Sequence, residues 1–274
     1  MTVGQQLPPA KDQVIHADGL DIAVSVRGEG RPLLLIMGLG GNRRMWEPLE
    51  RELVPRGFQT ITFDAPGVGD STGWKFPHRM PAIARVVEKV LTALGHAQVD
   101  VLGVSLGGAI AQQLAHQAPH RVRKLVLAAT MPGVGGVPAA PDVLLKMSTP
   151  RRYRDPEYFR KVAGSLYGGR SRTAAGSPVH ADAKRFAAPP SYSGYFNQLF
   201  AINGWSSLPW VHRLRNRTLV MNGDDDPIVP LANGRLLAWR IPRAHLHIVH
   251  GGGHLFLLEE PESSAVVIAQ FLDA

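Results

Sequence analysis

The 274-residue sequence predicts an α/β fold, in which a mostly parallel sheet of eight strands carries helices on both faces. Two observations support this prediction. Short apolar runs alternate with stretches of helical periodicity along most of the chain, and such alternation is typical of parallel sheets. The alternation stops between residues 132 and 211 and then resumes, so we expect a helical insertion before the last two strands.

The strands are predicted from apolar runs bounded by turn residues. Asp18-Gly19 separates the first two runs and is a typical hairpin dipeptide. Several later runs are continuously apolar, as expected for strands that helices cover on both sides. In chain order the predicted strands are Gln13–Ala17, Leu20–Arg27, Leu33–Met37, Phe58–Phe63, Val99–Val104, Lys124–Ala129, Thr218–Asn222 and His245–His250.

Helices are predicted where apolar residues recur at helical spacing. Leu106–Gln117, which is rich in Ala, is the second of three predicted helices. Pro261–Leu272 is the last, with Pro at an early helical position. The first lies N-terminal to both and is indicated by the apolar positions Ile83, Val86, Val87, Val90, Leu91 and Leu94.

The predicted insertion is interpreted as a cap and not as an independent domain. We expect residues 1–131 and 212–274 to form the core and residues 132–211 to form the cap. The cap segment is rich in Gly, Pro, Arg, Tyr and Trp and has short helical patterns such as Pro156–Leu166. Insertions between strands usually lie over the carboxyl ends of the sheet, where ligands bind.

Composition excludes several classes of protein. The chain is 45% apolar and 19% charged, with a mean hydropathy of −0.05, which is typical of a folded chain and not of a disordered or collagen-like one. The absence of Cys excludes disulfides, thiolate metal sites and a Cys nucleophile. No apolar run approaches the roughly 20 residues of a membrane helix, and residues 1–13 lack a signal-peptide pattern.

The chain is basic, with 30 Lys and Arg against 22 Asp and Glu and a net charge of +8. The densest basic stretch, Arg151–Arg172, matches no nucleic-acid-binding motif. We interpret it as a solvated face and expect no nucleic-acid partner.

The candidate nucleophile is Ser105, because residues 103–107 read GVSLG and fit the G-x-S-x-G pattern. A serine on a sharp strand-to-helix turn needs small residues two positions away on either side. The following helix directs its N-terminal N–H groups at developing negative charge. Residues 69–73, GDSTG, also fit, but Ser71 lies in a glycine-rich loop that no helix follows directly.

The serine needs a base, and the base needs a carboxylate that fixes its tautomer. The expected order along the chain is Ser, acid, His. His254 ends a Gly-Gly-Gly-His loop after the last strand and is the preferred base, with His250 as its rival. Asp226, which precedes a proline, is the preferred acid and Asp225 the second choice.

Two backbone N–H groups are needed to hold an oxyanion. Leu106 supplies the first, because it directly follows the candidate nucleophile. The second is expected from the loop GLGGN at residues 38–42, with Leu39 as the donor, since small residues let this backbone approach the substrate. The alternative for this loop is an ordinary strand-to-helix turn.

These residues resemble the α/β-hydrolase superfamily over residues 13–272, nearly the whole chain. Residues 64–71, DAPGVGDS, are similar to that family's loop after the fourth strand. The cap resembles the intracellular poly(3-hydroxyalkanoate) depolymerases of the medium-chain-length type. The matching stretches are PRRY at 150–153, LYGG at 166–169, QLF at 198–200 with GW at 204–205, GDDDP at 223–227, LAWRIP at 237–242 and GHLFL at 253–257.

The resemblance implies a Ser105–Asp226–His254 triad with no cofactor and no metal ion. It also implies cytoplasmic work on storage granules in bacterial cells, with a hydrophobic ester or polyester as substrate. The resembled family commonly has an aromatic residue after the nucleophile, where this chain has Leu106. The aromatic residues expected to line the path of the acyl chain, with the cap's own core as the alternative, are Trp205, Trp210, Phe196 and Phe200.

Other functions of the same residues stay open at this point, because a fold does not fix a reaction. They are a lipase or carboxylesterase, a carbon–carbon bond hydrolase, a perhydrolase and an acyltransferase. A non-catalytic receptor for a hydrophobic ligand is a more remote alternative. The sequence does not indicate an oligomeric state.

Overall fold

The computed structural model describes residues 7–173 and 183–274 of the chain. It has one eight-stranded sheet in the order β1-β2-β4-β3-β5-β6-β7-β8. β2 pairs antiparallel with β1 and β4, and every other pair is parallel, so the predicted fold class is confirmed. The strands are β1 Lys11–Ala17, β2 Leu20–Arg27, β3 Arg31–Ile36, β4 Phe58–Phe63, β5 Val99–Val104, β6 Val122–Ala128, β7 Arg217–Gly223 and β8 Ala244–Val249.

The predicted turn between the first two strands is present. Asp18 and Gly19 have φ of +57° and +77°, and left-handed conformation at both central residues matches the twist of the two strands. Both-sided burial of the central strands is also present, since every residue of β5 is buried. The faces of the sheet are therefore covered, and the carboxyl ends of its strands are left to form a functional site.

Ten α-helices lie in the described part of the chain, and they include the three predicted above. The helix from Met80 ends at Ala93, so Leu94 caps it from outside. The polar sequences of α1 and α8 carry little apolar periodicity and were not predicted. The helices are α1 Glu47–Leu53, α2 Met80–Ala93, α3 Leu106–Gln117, α4 Pro141–Met147, α5 Pro156–Tyr167, α6 Lys184–Ala187, α7 Tyr192–Ile202, α8 Leu231–Arg240, α9 Phe256–Glu259 and α10 Pro261–Asp273.

Alternate residues of the central strands enter two apolar clusters on opposite sides of the sheet. In β3, Leu34 and Ile36 join the cluster that includes α2 and α3. Leu33 and Leu35 join the cluster that includes α1 and α10. This alternation follows from the two-residue period of a strand, and it places helices on both faces as predicted.

The segment between β6 and β7 contributes α4 to α7 and contacts the loops that follow the sheet. Its Gly194 lies so close to Gly67, after β4, that a Cβ there would overlap the Gly67 carbonyl oxygen. A Cβ on Gly168 would likewise overlap the carbonyl oxygen of Asp225, after β7. This segment is thus packed backbone to backbone against two loops at the carboxyl ends of strands. None of the described helices is long and apolar enough to cross a membrane.

Candidate active site

Ser105 stands at a strained turn between β5 and α3. Its φ of +56° is in the left-handed region, which costs a non-glycine residue free energy and persists where the surroundings enforce it. Ser105 N–H donates to the Ala128 carbonyl at 2.9 Å, and its carbonyl accepts from Thr130 Oγ1 at 2.7 Å. A Cβ on Gly107 would overlap the Ile36 carbonyl oxygen, which explains the glycine two positions later.

His254 and Asp226 form a buried pair at the loops after β8 and β7. His254 Nδ1 lies 2.8 Å from Asp226 Oδ2, and the two side chains are 6% and 0% exposed. The other carboxylate oxygen of Asp226 accepts the backbone N–H groups of Ile228 and Val229, each at 2.9 Å. The carboxylate is therefore held in place, and it orients the ring so that Nε2 is left to act as a base.

The three consecutive aspartates after β7 occupy three different environments. Asp225 pairs with the Arg172 guanidinium at 2.7 and 2.8 Å and accepts the Gly169 N–H. Arg172 holds the pKa of the Asp225 carboxyl below its usual value. Asp224 instead accepts from His250 at 2.9 Å, and this hydrogen bond lowers the pKa of its carboxyl. The rival acid and the rival base thus have other partners.

Ser71, the second G-x-S-x-G serine, has a structural role. Its hydroxyl donates to the Asp64 carbonyl at 2.7 Å and accepts the Ala23 N–H at 2.9 Å. Because both bonds are within the loop and the neighbouring strand, this hydroxyl joins the loop after β4 to β2.

The loop after β3 brings the second expected oxyanion donor beside Ser105. A Cβ on Gly38 would lie 3.1 Å from the Ser105 Cβ, so the two backbones pass close together. The Leu39 carbonyl accepts from the Tyr153 hydroxyl at 2.7 Å, and Gly40 N–H donates to the Gln198 side chain at 2.8 Å. Within the described residues, no hydrogen bond uses the N–H of Leu39 or of Leu106.

Two cavities meet at Ser105. The larger, about 220 Å³, is apolar and includes both expected oxyanion residues. The smaller, about 40 Å³, includes His254. Among the described residues, the His254 ring bonds to Asp226 and not to Ser105, although both residues line the smaller cavity. Catalytic hydrogen bonds are often long before substrate binds. The larger cavity is lined by Leu39, Ser105, Leu106, Ala109, Thr130, Met131, Pro138, Ala139, Leu144, Met147, Leu199, Ile202, Ile228 and Val229.

The smaller cavity also holds residues that sequence reasoning missed, namely Arg152, Arg185 and the tyrosines around them. The two arginines are each 1% exposed. Arg152 comes from the basic stretch interpreted as a solvated face, so that interpretation is wrong for this residue. Nothing in the sequence distinguishes it from Arg151, whose side chain is 61% exposed.

The cap aromatics expected along the acyl path line neither cavity at Ser105. Trp205 donates from Nε1 to Gln113 at 2.8 Å and packs edge-on against Trp210, which fits the alternative of a cap core. Phe196 and Phe200 are 49% and 38% exposed, and the Arg79 guanidinium lies over the Phe200 ring.

Comparisons with known proteins show what the chain is similar to. Residues 31–261 match the model of the alpha/beta hydrolase fold family. The chain is 43% identical over 265 residues to a poly(3-hydroxyalkanoate) depolymerase of Ectopseudomonas oleovorans, covering 95% of this chain and 92% of that protein.

A more distant relative is a 2-hydroxymuconate semialdehyde hydrolase of Pseudomonas putida, 31% identical over 285 aligned positions, with coverage of 99% and 97%. Among solved structures, a hydrolase from Pseudomonas aeruginosa PA01 superposes with a TM-score of 0.82 at 24% identity, covering 96% of this chain and 98% of that one. At that identity the superposition shows the fold alone.

Proposed function

This chain belongs to the alpha/beta hydrolase family, and we propose that it is a serine ester hydrolase that depolymerises poly(3-hydroxyalkanoate) or its oligomers. One observation carries the proposal. A serine on a strained turn and a histidine held by a buried aspartate line the same small cavity, beside an apolar cavity with unused N–H groups. The 43% identity to a depolymerase supports the choice of substrate.

In the proposed mechanism, Ser105 Oγ attacks the ester carbonyl while His254 Nε2 takes its proton. Asp226 stabilises the imidazolium from the other side of the ring. The N–H groups of Leu39 and Leu106 donate to the oxyanion. The substrate carbonyl oxygen must therefore lie between the loop after β3 and the start of α3. His254 then protonates the leaving alcohol, and a water activated by the same ring hydrolyses the acyl-enzyme.

The apolar cavity suits the hydrocarbon part of the acyl group. Both oxyanion residues line this cavity and His254 does not. The acyl carbonyl therefore lies at the inner end of the cavity, next to Ser105, and the hydrocarbon chain extends from there into the cavity. Burial of a methylene stabilises binding by about 0.8 kcal/mol, and this side of the site therefore selects for chain length. The absence of an aromatic ring at Leu106 leaves the inner end open.

The rim of this cavity supports contact with a hydrophobic polymer surface. Leu144 lines the cavity and is 52% exposed, and Leu145 beside it on α4 is 74% exposed. Exposed apolar side chains at the mouth of a site are typical of a surface for apolar partners. We propose that α4 contacts the storage granule in the cytoplasm of the bacterial cell.

The test is release of 3-hydroxy acids from purified polyester granules, with product identification by mass spectrometry. Wild-type protein should release them, and the rate of release by Ser105→Ala should be at least 10³-fold lower. A fluorophosphonate probe should label wild type and not this variant. A panel with triacylglycerol and carbon–carbon bond substrates runs in parallel. Faster turnover of either of those would assign a different substrate, and labelling without turnover of any would favour a receptor.

The granule contact has its own variant. Leu145→Asp should lower the rate on granules more than the rate on soluble p-nitrophenyl octanoate. Trp239→Asp is the matched control, because Trp239 is 75% exposed on α8 and lines neither cavity. Equal losses on both substrates for Leu145→Asp would contradict the contact.

A further inference from the structure

The smaller cavity contains two buried guanidinium groups for which the described residues provide no carboxylate. Arg152 and Arg185 are each 1% exposed, and no Asp or Glu in residues 7–173 or 183–274 forms an ion pair with either. Burial of an uncompensated charge is costly, and buried arginines are normally paired. Both residues line the cavity that holds Ser105 and His254.

Aromatic rings account for part of the stabilisation of these charges. The Arg185 guanidinium lies 4.5 Å from the ring centre of Phe159 and 5.1 and 5.5 Å from those of Tyr153 and Tyr167. Cation–π contacts of this kind are stronger when the cation is desolvated, as it is here. The ring faces supply no negative charge, and of these three residues only Tyr167 accepts a hydrogen bond from Arg185, through its hydroxyl.

The two arginines differ in how their donors are used. Arg152 donates to the Tyr195 hydroxyl and to the Leu39 carbonyl, so it holds the loop after β3. Burial raises the pKa of Tyr195 to about 12, and its hydroxyl is therefore neutral and not a counter-ion. Arg185 donates from Nη1 to Tyr167, and its Nε and Nη2 have no partner among the described residues.

Nε–H and Nη2–H point from the same edge of a guanidinium. This edge matches the two oxygens of a carboxylate, which it binds through two parallel hydrogen bonds. Arg185 thus has a complete bidentate edge that is desolvated, buried and without a partner among the described residues, and the residue lines the cavity that contains His254. A carboxylate in this cavity would bind once the Arg185 side chain turns this edge toward it.

We propose that Arg185 binds the free carboxylate of the leaving group, so that the substrate is a hydroxy-acid oligomer cleaved from its carboxyl end. This proposal rests on the proposed ester hydrolase function. The leaving alcohol must lie near His254 to receive its proton, and His254 lines the cavity with Arg185 and not the apolar one. The anionic end and the apolar acyl chain therefore occupy different cavities, both of which Ser105 lines.

The lining of the smaller cavity can adapt to the leaving group. The lining residues Met37, Met45 and Met147 have unbranched side chains that can reorient around a bound terminal unit.

The chemistry balances without a further reactant. Ser105 Oγ bonds to the acyl carbon, the bond from that carbon to the terminal unit's 3-oxygen breaks, and His254 gives that oxygen the proton. The terminal hydroxy acid leaves with its carboxylate unchanged. Water then releases the acyl part as a new carboxylic acid, so the shortened oligomer carries the carboxylate that Arg185 binds in the next cycle.

The test compares the 3-hydroxyoctanoate dimer, which has a free carboxylate, with the methyl ester of that dimer. The scissile bond and the acyl part are the same in both. We expect wild type to have a kcat/KM at least tenfold higher for the free acid. Arg185→Gln should reduce this ratio to near one, and Arg185→Lys should retain part of it. Arg160→Gln, at an exposed cap arginine, is the matched control and should leave the ratio unchanged.

The outcomes separate this proposal from the proposed function. Equal turnover of acid and methyl ester by wild type, abolished by Ser105→Ala, would overturn the carboxylate site and leave the ester hydrolase. No Ser105-dependent turnover of either substrate would overturn the function itself. An unchanged acid preference in a folded Arg185→Gln would also overturn the site.

A second measurement needs no variant, in case Arg185→Gln does not fold. Wild type hydrolyses p-nitrophenyl octanoate while 3-hydroxyoctanoate or its methyl ester is added as inhibitor. The acid should compete at least tenfold more strongly, although it is the less apolar molecule. Stronger inhibition by the methyl ester would show that hydrophobic contact, and not the guanidinium, governs this side of the site.

Discussion

Two histidine–aspartate pairs come from the loops after β7 and β8, and they differ in their access to water. His254 Nδ1 lies 2.8 Å from Asp226, with side chains 6% and 0% exposed. His250 Nδ1 lies 2.9 Å from Asp224, with side chains 84% and 33% exposed. Distance alone therefore does not distinguish the proposed catalytic pair from a surface ion pair.

The difference between the pairs shows what a protein must add to make such a pair useful. An exposed pair interacts weakly because water screens both charges. In the buried pair the carboxylate acts through a lower dielectric and is fixed by two backbone N–H groups, so it can stabilise a charged ring. The buried ring also lines the cavity of the nucleophile, and the exposed ring does not.

The largest expected effect comes from removing each histidine in turn. His254→Ala should lower kcat/KM on p-nitrophenyl octanoate by on the order of 10³-fold or more, because the proposed base is lost. His250→Ala should stay within about twofold of wild type. A comparable loss for both variants would mean that the exposed pair also takes part.

The second-largest effect is expected from substitution of the aspartates in the two pairs. Asp226→Asn should lower kcat by on the order of 10³–10⁴-fold, because an amide no longer stabilises the correct tautomer and the imidazolium. Asp224→Asn should leave the rate within about twofold. Both are isosteric, and thermal unfolding of each variant separates a rate effect from misfolding. A small effect at Asp226 would move the acid to another carboxylate.

A third change targets the backbone that covers the buried pair. The Tyr167 carbonyl accepts the His254 N–H at 2.7 Å, and a Cβ on Gly169 would overlap the Gly253 backbone. Gly169→Ala should therefore displace the His254 loop and lower kcat/KM about tenfold. Gly95→Ala is the control. It also places Ala at positive φ, but the added Cβ meets nothing within 4 Å, so this variant measures the backbone strain alone, about 1–2 kcal/mol, without a clash.

The smallest effect concerns acid stability at Asp225. Arg172 lowers the folded pKa of this carboxyl, so its stabilisation is present above the unfolded pKa and is lost as pH falls through the folded value. Asp225→Asn should cost about 0.5–1 kcal/mol at pH 7, and the difference from wild type should vanish near pH 2. Denaturant unfolding at a series of pH values measures it. A constant difference across that range would contradict the ion pair.

The parts of the molecule that short-range sterics govern could be predicted from the sequence. The turn at Ser105 depends on small residues within two positions, and β5 and α3 on either side have clear patterns. The hairpin at Asp18-Gly19 is equally local. The mostly parallel sheet of eight strands followed from the alternation of elements, whereas the order of the strands in the sheet was not predicted.

Other parts depend on packing between distant segments. Arg152 and Arg185 are 33 positions apart, and their burial is set by how α5, α6 and α7 pack on the loops. Arg152 follows an exposed arginine directly in sequence, so no local pattern marks it. The cap aromatics were misplaced for the same reason, because apolar character predicts burial but not which cavity a ring lines.

The glycine contacts at Gly194 and Gly168 have a practical consequence for laboratory evolution of this protein. We expect most variants with a substitution at either position not to fold, because any side chain would overlap a backbone carbonyl oxygen. Saturation libraries that include these positions would therefore consist largely of inactive clones. Diversity placed at the walls of the apolar cavity, such as Met131 and Ile202, avoids both contacts. Screens for altered monomer length should start there.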